Sequence, residues 1–266
     1  MGNNLNLDVG CCIYCGHKDG NLSREHVMPR GLGGNWAPDG MANALVLRNA
    51  SCESCRKITE DIERKCLIGM MDPAREKLGL KRKDRLNAKT LANLELVNGE
   101  KEDRYVTWDS VPGPMILPSF YTAGFFAGRK FYNHLPCDHK IIITHPASAF
   151  LEKNVKGVGV SIISNPKLFA QMLSKIALGL AVAYYGLEKI KPLVRDIILK
   201  DGTGYGYYVG GYAEKKREEP KMESLHKATF GIVKKPGQSG DFLIVDIRLF
   251  AEYDSPTNYV VVGRFK

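Results

Sequence analysis

No run in this 266-residue chain approaches the roughly 18 consecutive apolar residues that a bilayer-spanning helix needs, so no membrane span is expected. Residues 1–8 offer neither a basic n-region nor an apolar h-region, so a secretory signal is not expected either. Gly2 is not followed by the Ser or Thr at residue 6 that myristoylation prefers, because residue 6 is Asn. A cytoplasmic protein is the expectation. No internal repeat or low-complexity tract stands out, which argues against a solenoid or a disordered tail. The glycine- and tyrosine-rich stretch 202–211 matches no phosphate-cradling loop. What remains has ordinary globular composition, 44% hydrophobic and 25% charged, and is long enough for one large domain or two smaller ones.

The charge balance is one-sided. The formal net charge is +9 and the pI is near 9.1, which suits a polyanionic partner without naming one. Part of the excess is local. Between residues 75 and 89, Arg75, Lys77, Lys81, Arg82, Lys83, Arg85 and Lys89 stand against only Glu76 and Asp84. Such a run reads either as a solvated helix face or as a phosphate-contacting arm.

The seven cysteines are an odd number, and five fall within residues 11–55. Tight clusters in a chain expected to be cytoplasmic favour metal over disulfides. Cys12-x-x-Cys15 and Cys52-x-x-Cys55 form two knuckles whose thiolates suit one tetrahedral zinc, with Cys11 as a rival to Cys12. Four thiolate ligands leave no open coordination position, so this zinc is expected to be structural. Cys66 and Cys137 stand alone and read as buried thiols.

Between the knuckles, a short strand is expected to carry Glu25-His26, followed by a Pro/Gly-rich loop. A second strand is expected at Leu45–Leu47, and a helix starting near Cys52. A carboxylate beside an imidazole divides labour: the first suits a hard divalent cation, the second can take a proton from water. Alone, such a pair is ordinarily a surface ion pair, and it gains meaning from the knuckles around it.

From Tyr105 onward, β-prone runs appear at residues 105–108, 140–144, 158–163, 242–247 and 259–262. Among them lies one clear helix. Asn165 is its N-cap and Pro166 its first residue; Phe169, Met172, Leu173, Ile176, Ala177, Leu180 and Ala183 share a face, and Gly186 stops it. A shorter helix is expected across Leu193–Leu199. Three regions follow: 1–72 as a zinc-stapled module, 73–104 as a basic helical connector, and 105–266 as an α+β domain of unassigned role.

Taken in order, Cys12 to Cys15, Ser23 to Gly34 (S-x-E-H-x-x-P-x-x-L-G-G) and Ala50 to Thr59 (A-S-C-x-x-C-x-x-I-T) resemble the bacterial branch of the HNH endonuclease family. Weaker similarity continues through residues 171–177, 249–251 and 260–264. The resemblance implies an α+β chain: an N-terminal zinc-containing ββα-metal module, then a mixed α/β domain around the central apolar helix. It implies hydrolysis of phosphodiester bonds in nucleic acid, DNA being the expected partner. His26 would be the general base, and Glu25 would help bind a divalent cation, Mg2+ or Mn2+. Asn49 would orient His26 or the loop, with Asn43 as its rival. Cutting both strands with a one-metal site would require two copies, hence a homodimer.

The chain departs from the family after the second knuckle, where Arg56 stands in place of a His or Asn. Arginine contacts phosphate but does not bind a cation. Thr59, Glu60 and Glu63 on the following helix are candidate replacements, with Glu63 preferred. Arg30, Arg56, Lys57, Lys81, Arg82 and Lys83 are the candidate phosphate contacts. The departure keeps a second reading open, a catalytically degenerate zinc module that binds nucleic acid without cutting it.

Overall fold

The computed structural model describes residues 7–18, 20–33, 45–80, 89–107, 114–128, 136–143, 155–160, 162–215 and 224–266. Its opening follows the expected order: β1 (Ser23–His26), β2 (Val46–Ser51), then the helix α1 (Glu53–Met70). β1 and β2 pair antiparallel, with Glu25 opposite Leu47 and His26 opposite Val46. Cys52 is the extended residue that caps α1. β2 runs four residues beyond where the sequence placed its end, to Ser51, which pairs with Ser23, and Asp8 bridges it in parallel at Arg48.

The basic connector is not helical throughout. α2 covers only Asp72–Lys77, and the chain resumes as a hairpin of β3 (Lys89–Leu96) and β4 (Lys101–Thr107). The hairpin reverses through Asn98-Gly99, a dipeptide suited to positive φ; Gly99 has φ 88°. The charges here alternate across a mostly exposed sheet, with Asn93 donating to Asp103 at 2.9 Å and Lys156 pairing with Glu95 at 3.3 Å. Arg75 is not part of a solvated arm. It is buried, and its Nε donates to the Gly31 carbonyl at 2.6 Å. Lys81, Arg82 and Lys83 lie outside the described residues, as does Asn43.

Beyond the hairpin come β5 (Pro114–Phe120), α3 (Gly124–Ala127), β6 (Cys137–Ile143), β7 (Val155–Val160), α4 (Pro166–Tyr185), β8 (Ile190–Pro192), α5 (Arg195–Leu199), α6 (Tyr205–Tyr208), β9 (Val209–Gly211), β10 (His226–Lys234), β11 (Asp241–Leu249) and β12 (Asn258–Phe265). The paired strands form several small antiparallel sheets. The largest runs β10-β11-β12-β8, with β9 also on β12; β4-β3-β7 and β5-β6 are separate. The chain is therefore a mixed α and β fold without a large continuous sheet among the described residues.

α4 is the expected central helix. The Asn165 side chain accepts from the Leu168 N–H at 3.0 Å, Pro166 opens the first turn, and Gly186 ends the helix at φ 82°. α4 is long and apolar enough to cross a membrane by length and composition alone, yet 83% of its most apolar window is buried inside the fold. Its neighbours explain the burial. One hydrophobic core runs without a break from Ile13 and Leu47 through Leu67 and Met70 to Ile176, Leu180, Val245 and Val260. The first 72 residues thus share their core with the second half. Gly179 marks one close approach of the two: a Cβ there would lie 3.1 Å from the Val27 side chain.

His226 joins the halves a second time. It is fully buried, its Nδ1 accepts from the Phe250 N–H at 3.1 Å, and Nε2 meets the Leu32 carbonyl at 2.7 Å. Burial lowers its pKa from 6.5 to about 4, only partly opposed by the Leu32 carbonyl. In the unfolded chain this imidazole takes a proton below about pH 6.5, whereas the folded one does not until about pH 4. The unfolded state binds more protons across that window, so stability is lost as pH falls through it, by on the order of 3 kcal/mol. Urea unfolding between pH 7 and pH 4 is expected to show this loss in the wild type and a clearly smaller one in His226→Gln.

Candidate metal centre and reacting site

The first knuckle is a closed turn. The Gly16 N–H donates to the Cys12 carbonyl at 2.8 Å, and the Cys12 N–H donates to the His17 carbonyl at 2.7 Å. Gly16 has φ 81°, which a residue without Cβ adopts freely. The second knuckle is the first turn of α1. Ile13 is held on β2 by its N–H to the Ala50 carbonyl at 2.9 Å, and this sets the two knuckles side by side. As a result the Sγ atoms of Cys12, Cys15, Cys52 and Cys55 lie within 4.8 Å of one another, with Cys15 and Cys52 at 3.7 Å. A tetrahedral zinc with Zn–S bonds of about 2.3 Å needs S···S edges of about 3.8 Å, so the cluster is compatible with a zinc site. Cys12, not Cys11, is the member that joins it.

Cys12, Cys52 and Cys55 differ in how readily they ionise without a metal. Burial raises the pKa of Cys12 and, far more, that of Cys55, where the neighbouring thiols add to the rise. Burial opposes ionisation of Cys52 as well, but the Cys55 N–H and the surrounding thiols more than offset it and lower the pKa. Four thiolates this close repel each other unless a cation sits among them. Cys66 is buried in α1 and Cys137 is half-buried on β6.

Glu25 and His26 end β1 next to α1 and α4. The Glu25 side chain is buried, and Lys175 of α4 reaches it: Nζ lies 2.7 Å from Glu25 Oε1 and 2.6 Å from Glu63 Oε1. The same Nζ donates to the His26 carbonyl at 2.5 Å. Glu63 is therefore the α1 carboxylate that joins Glu25. Glu60 turns outward to Arg56, at 2.9 Å, and the Thr59 hydroxyl back-bonds to the Arg56 carbonyl at 3.1 Å. Burial works against a charged Lys175, but Glu25 and Glu63 outweigh it and raise its pKa. Tyr14, fully buried in the first knuckle, accompanies the cluster. Its hydroxyl completes no hydrogen bond of good geometry among the described residues, and burial together with the Glu25 and Glu63 charges pushes its pKa well up.

His26 is half-buried. Arg30 Nε donates to its Nε2 at 3.0 Å, which leaves the ring proton on Nδ1, a buried atom without a hydrogen-bond partner among the described residues. Its pKa is lowered by burial first, then by the positive charges of Arg30, Lys175 and Arg24, against an opposing pull from Glu63. The imidazole is neutral near pH 7.

Other candidates lie elsewhere. Asn49 is exposed, three residues along β2 from the partner of His26, and its amide donates to Asp8 at 3.0 Å. It is not brought to His26. Arg56 and Lys57 are exposed on α1 in pairs with Glu60 and Glu53. Lys175 was the residue missed, although it had a signal: it is the single charged residue between Leu168 and Tyr185. A lysine on a buried face calls for a carboxylate partner.

A divalent cation shared by Glu25, which the resemblance implies, and Glu63, the candidate replacement ligand, does not fit this arrangement. The Lys175 ammonium stands between the two carboxylates, at distances suited to N–H···O bonds and longer by about 0.5 Å than Mg2+–O contacts. Comparison with protein-family models, curated proteins and solved structures finds no match to this chain.

The cysteine cluster makes a direct prediction. Metal analysis of the purified protein should find one zinc per chain. Cys55→Ser should lose the metal and lower the melting temperature by many degrees, as should chelation of the wild type.

Proposed function

We propose that this protein hydrolyses phosphodiester bonds in nucleic acid, as an HNH-type nuclease, with His26 as the general base. The observation that carries the reading is the state of that imidazole: neutral near pH 7, with Nε2 unprotonated and turned to an exposed arginine, at the end of a β-β-α unit beside four clustered cysteines.

Arg30 supplies the first step. Its Nε holds the His26 lone pair, while the rest of the guanidinium remains available to a phosphate. A phosphodiester drawing Arg30 to itself frees His26 Nε2 for a water molecule. His26 then takes a proton from that water as its oxygen bonds to phosphorus, and the bond to the leaving sugar oxygen breaks, that oxygen keeping the electron pair and taking a proton from solvent. Arg30 and the exposed Arg24 add positive charge where the phosphate gains negative charge. No step runs through a cation on Glu25. DNA is the favoured substrate by the family resemblance.

One observation favours a second reading, a zinc module that binds nucleic acid without cutting it. Lys175 fills the place where the resemblance puts the cation.

Incubation of the protein with single- and double-stranded DNA, with and without Mg2+ or Mn2+, separates the two. Under the hydrolase reading, His26→Ala lowers cleavage by about 10²- to 10⁴-fold while zinc content and folding persist. Arg30→Gln weakens substrate use and makes it less salt-sensitive. Salt-sensitive binding with no cleavage under any of these conditions selects the second reading.

A further inference from the structure

Lys175 Nζ has three protons to donate, and three oxygens receive them: Glu25 Oε1, Glu63 Oε1 and the His26 carbonyl. Its donor capacity is used up, so it has no proton left for a substrate phosphate. The side chain is 1% exposed and enters from α4, about 150 positions along the chain from Glu25 and His26. The three oxygens come from a strand end and from the middle of α1, and they converge on one point. A divalent cation with oxygen ligands would use that same point, because two carboxylates and a carbonyl are the ligands such an ion prefers.

We infer that Lys175 is the resident cation of this site: its ammonium takes the place of a divalent ion between Glu25 and Glu63, and a metal enters the pair only when Lys175 is removed. Lys175 is a positioning residue. It touches no substrate, and it fixes the backbone of His26 and the buried carboxylate beside it from the second half of the chain. The one ammonium offsets half of the negative charge of the two carboxylates and is shared between them. Adding a divalent ion on top would set two cations side by side in a buried space. In Lys175→Met the two carboxylates lose that compensation, while the oxygen cage is kept for an ion to fill.

The inference concerns the same site as the proposed hydrolase, but its test needs no substrate. Mn2+ is titrated into the zinc-loaded full chain, with the free ion followed by electron paramagnetic resonance. Wild type and Glu63→Gln are expected to bind Mn2+ equally, within twofold. Lys175→Met should gain a site at least tenfold tighter than any in the wild type, and adding Glu63→Gln to it should abolish that site. A wild-type Mn2+ site weakened tenfold or more by Glu63→Gln overturns the inference. A folded Lys175→Met that gains no site also overturns it. If Lys175→Met does not fold, the wild type against Glu63→Gln decides alone, since the remaining Lys175–Glu25 pair keeps that variant compensated. A protein that cuts no nucleic acid would end the hydrolase reading and leave this result untouched.

Discussion

One buried ammonium organises the end of β1 that carries Glu25 and His26. Lys175 is carried by a helix that is otherwise uncharged from Leu168 to Tyr185, and its charge is tolerable there only because Glu25 and Glu63 meet it at 2.7 and 2.6 Å. A buried ion cluster of this kind adds little to stability when compared with well-packed hydrophobic side chains, yet losing one partner leaves an uncompensated charge at a cost of about 3–5 kcal/mol. Its value lies in specification. The cluster accepts one arrangement of β1, α1 and α4, and any slip of β1 by one residue would turn Glu25 away from Lys175.

The same principle recurs around the N-terminal unit. Three side chains from the second half each bond to one of its backbone carbonyls: Lys175 to His26, Arg195 to Ile13 at 2.9 Å, and His226 to Leu32. These points are the strand end, the first knuckle and the loop after Glu25-His26. The four-cysteine cluster can hold the knuckles together from within, while these contacts fix the unit from outside. The unbroken core that runs from Ile13 to Val260 fits this picture better than a self-sufficient module on a connector.

What could be read from the sequence was local. Knuckle spacing, the Asn165-Pro166 start and Gly186 stop of α4, and the β-β-α order all depend on residues a few positions apart, where turn and cap chemistry act directly. Glu60 and Glu63 are neighbours one turn apart on α1, so spacing alone could not separate them; the structure turns Glu63 to Lys175 and Glu60 to Arg56. The failures were of two kinds. The β3–β4 hairpin was hidden because its charges outweighed the Asn98-Gly99 turn signal in a reading based on composition. Lys175, Arg195 and His226 were hidden because their partners are 149, 182 and 194 residues away, and nothing in the neighbouring sequence names a distant carbonyl. Asn49 illustrates the converse: its family-like position suggested a role at His26, but a positive φ and Asp8 hold its amide elsewhere.

The electrostatic state of His26 follows from this arrangement. Two carboxylates close to an imidazole would hold it protonated and useless as a base. Here Lys175 offsets them, and Arg30 and Arg24 add to its effect, so that together with burial they lower the imidazole pKa against the pull of Glu63. Arg30 also blocks Nε2 with a hydrogen bond, which leaves a lone pair that is basic but occupied. An anion that competes for Arg30 uncovers it, whereas a neutral molecule has no comparable hold on the guanidinium. Under the proposed hydrolase reading a phosphate group would uncover the base in this way, next to a backbone held in place by a lysine 149 residues further along the chain.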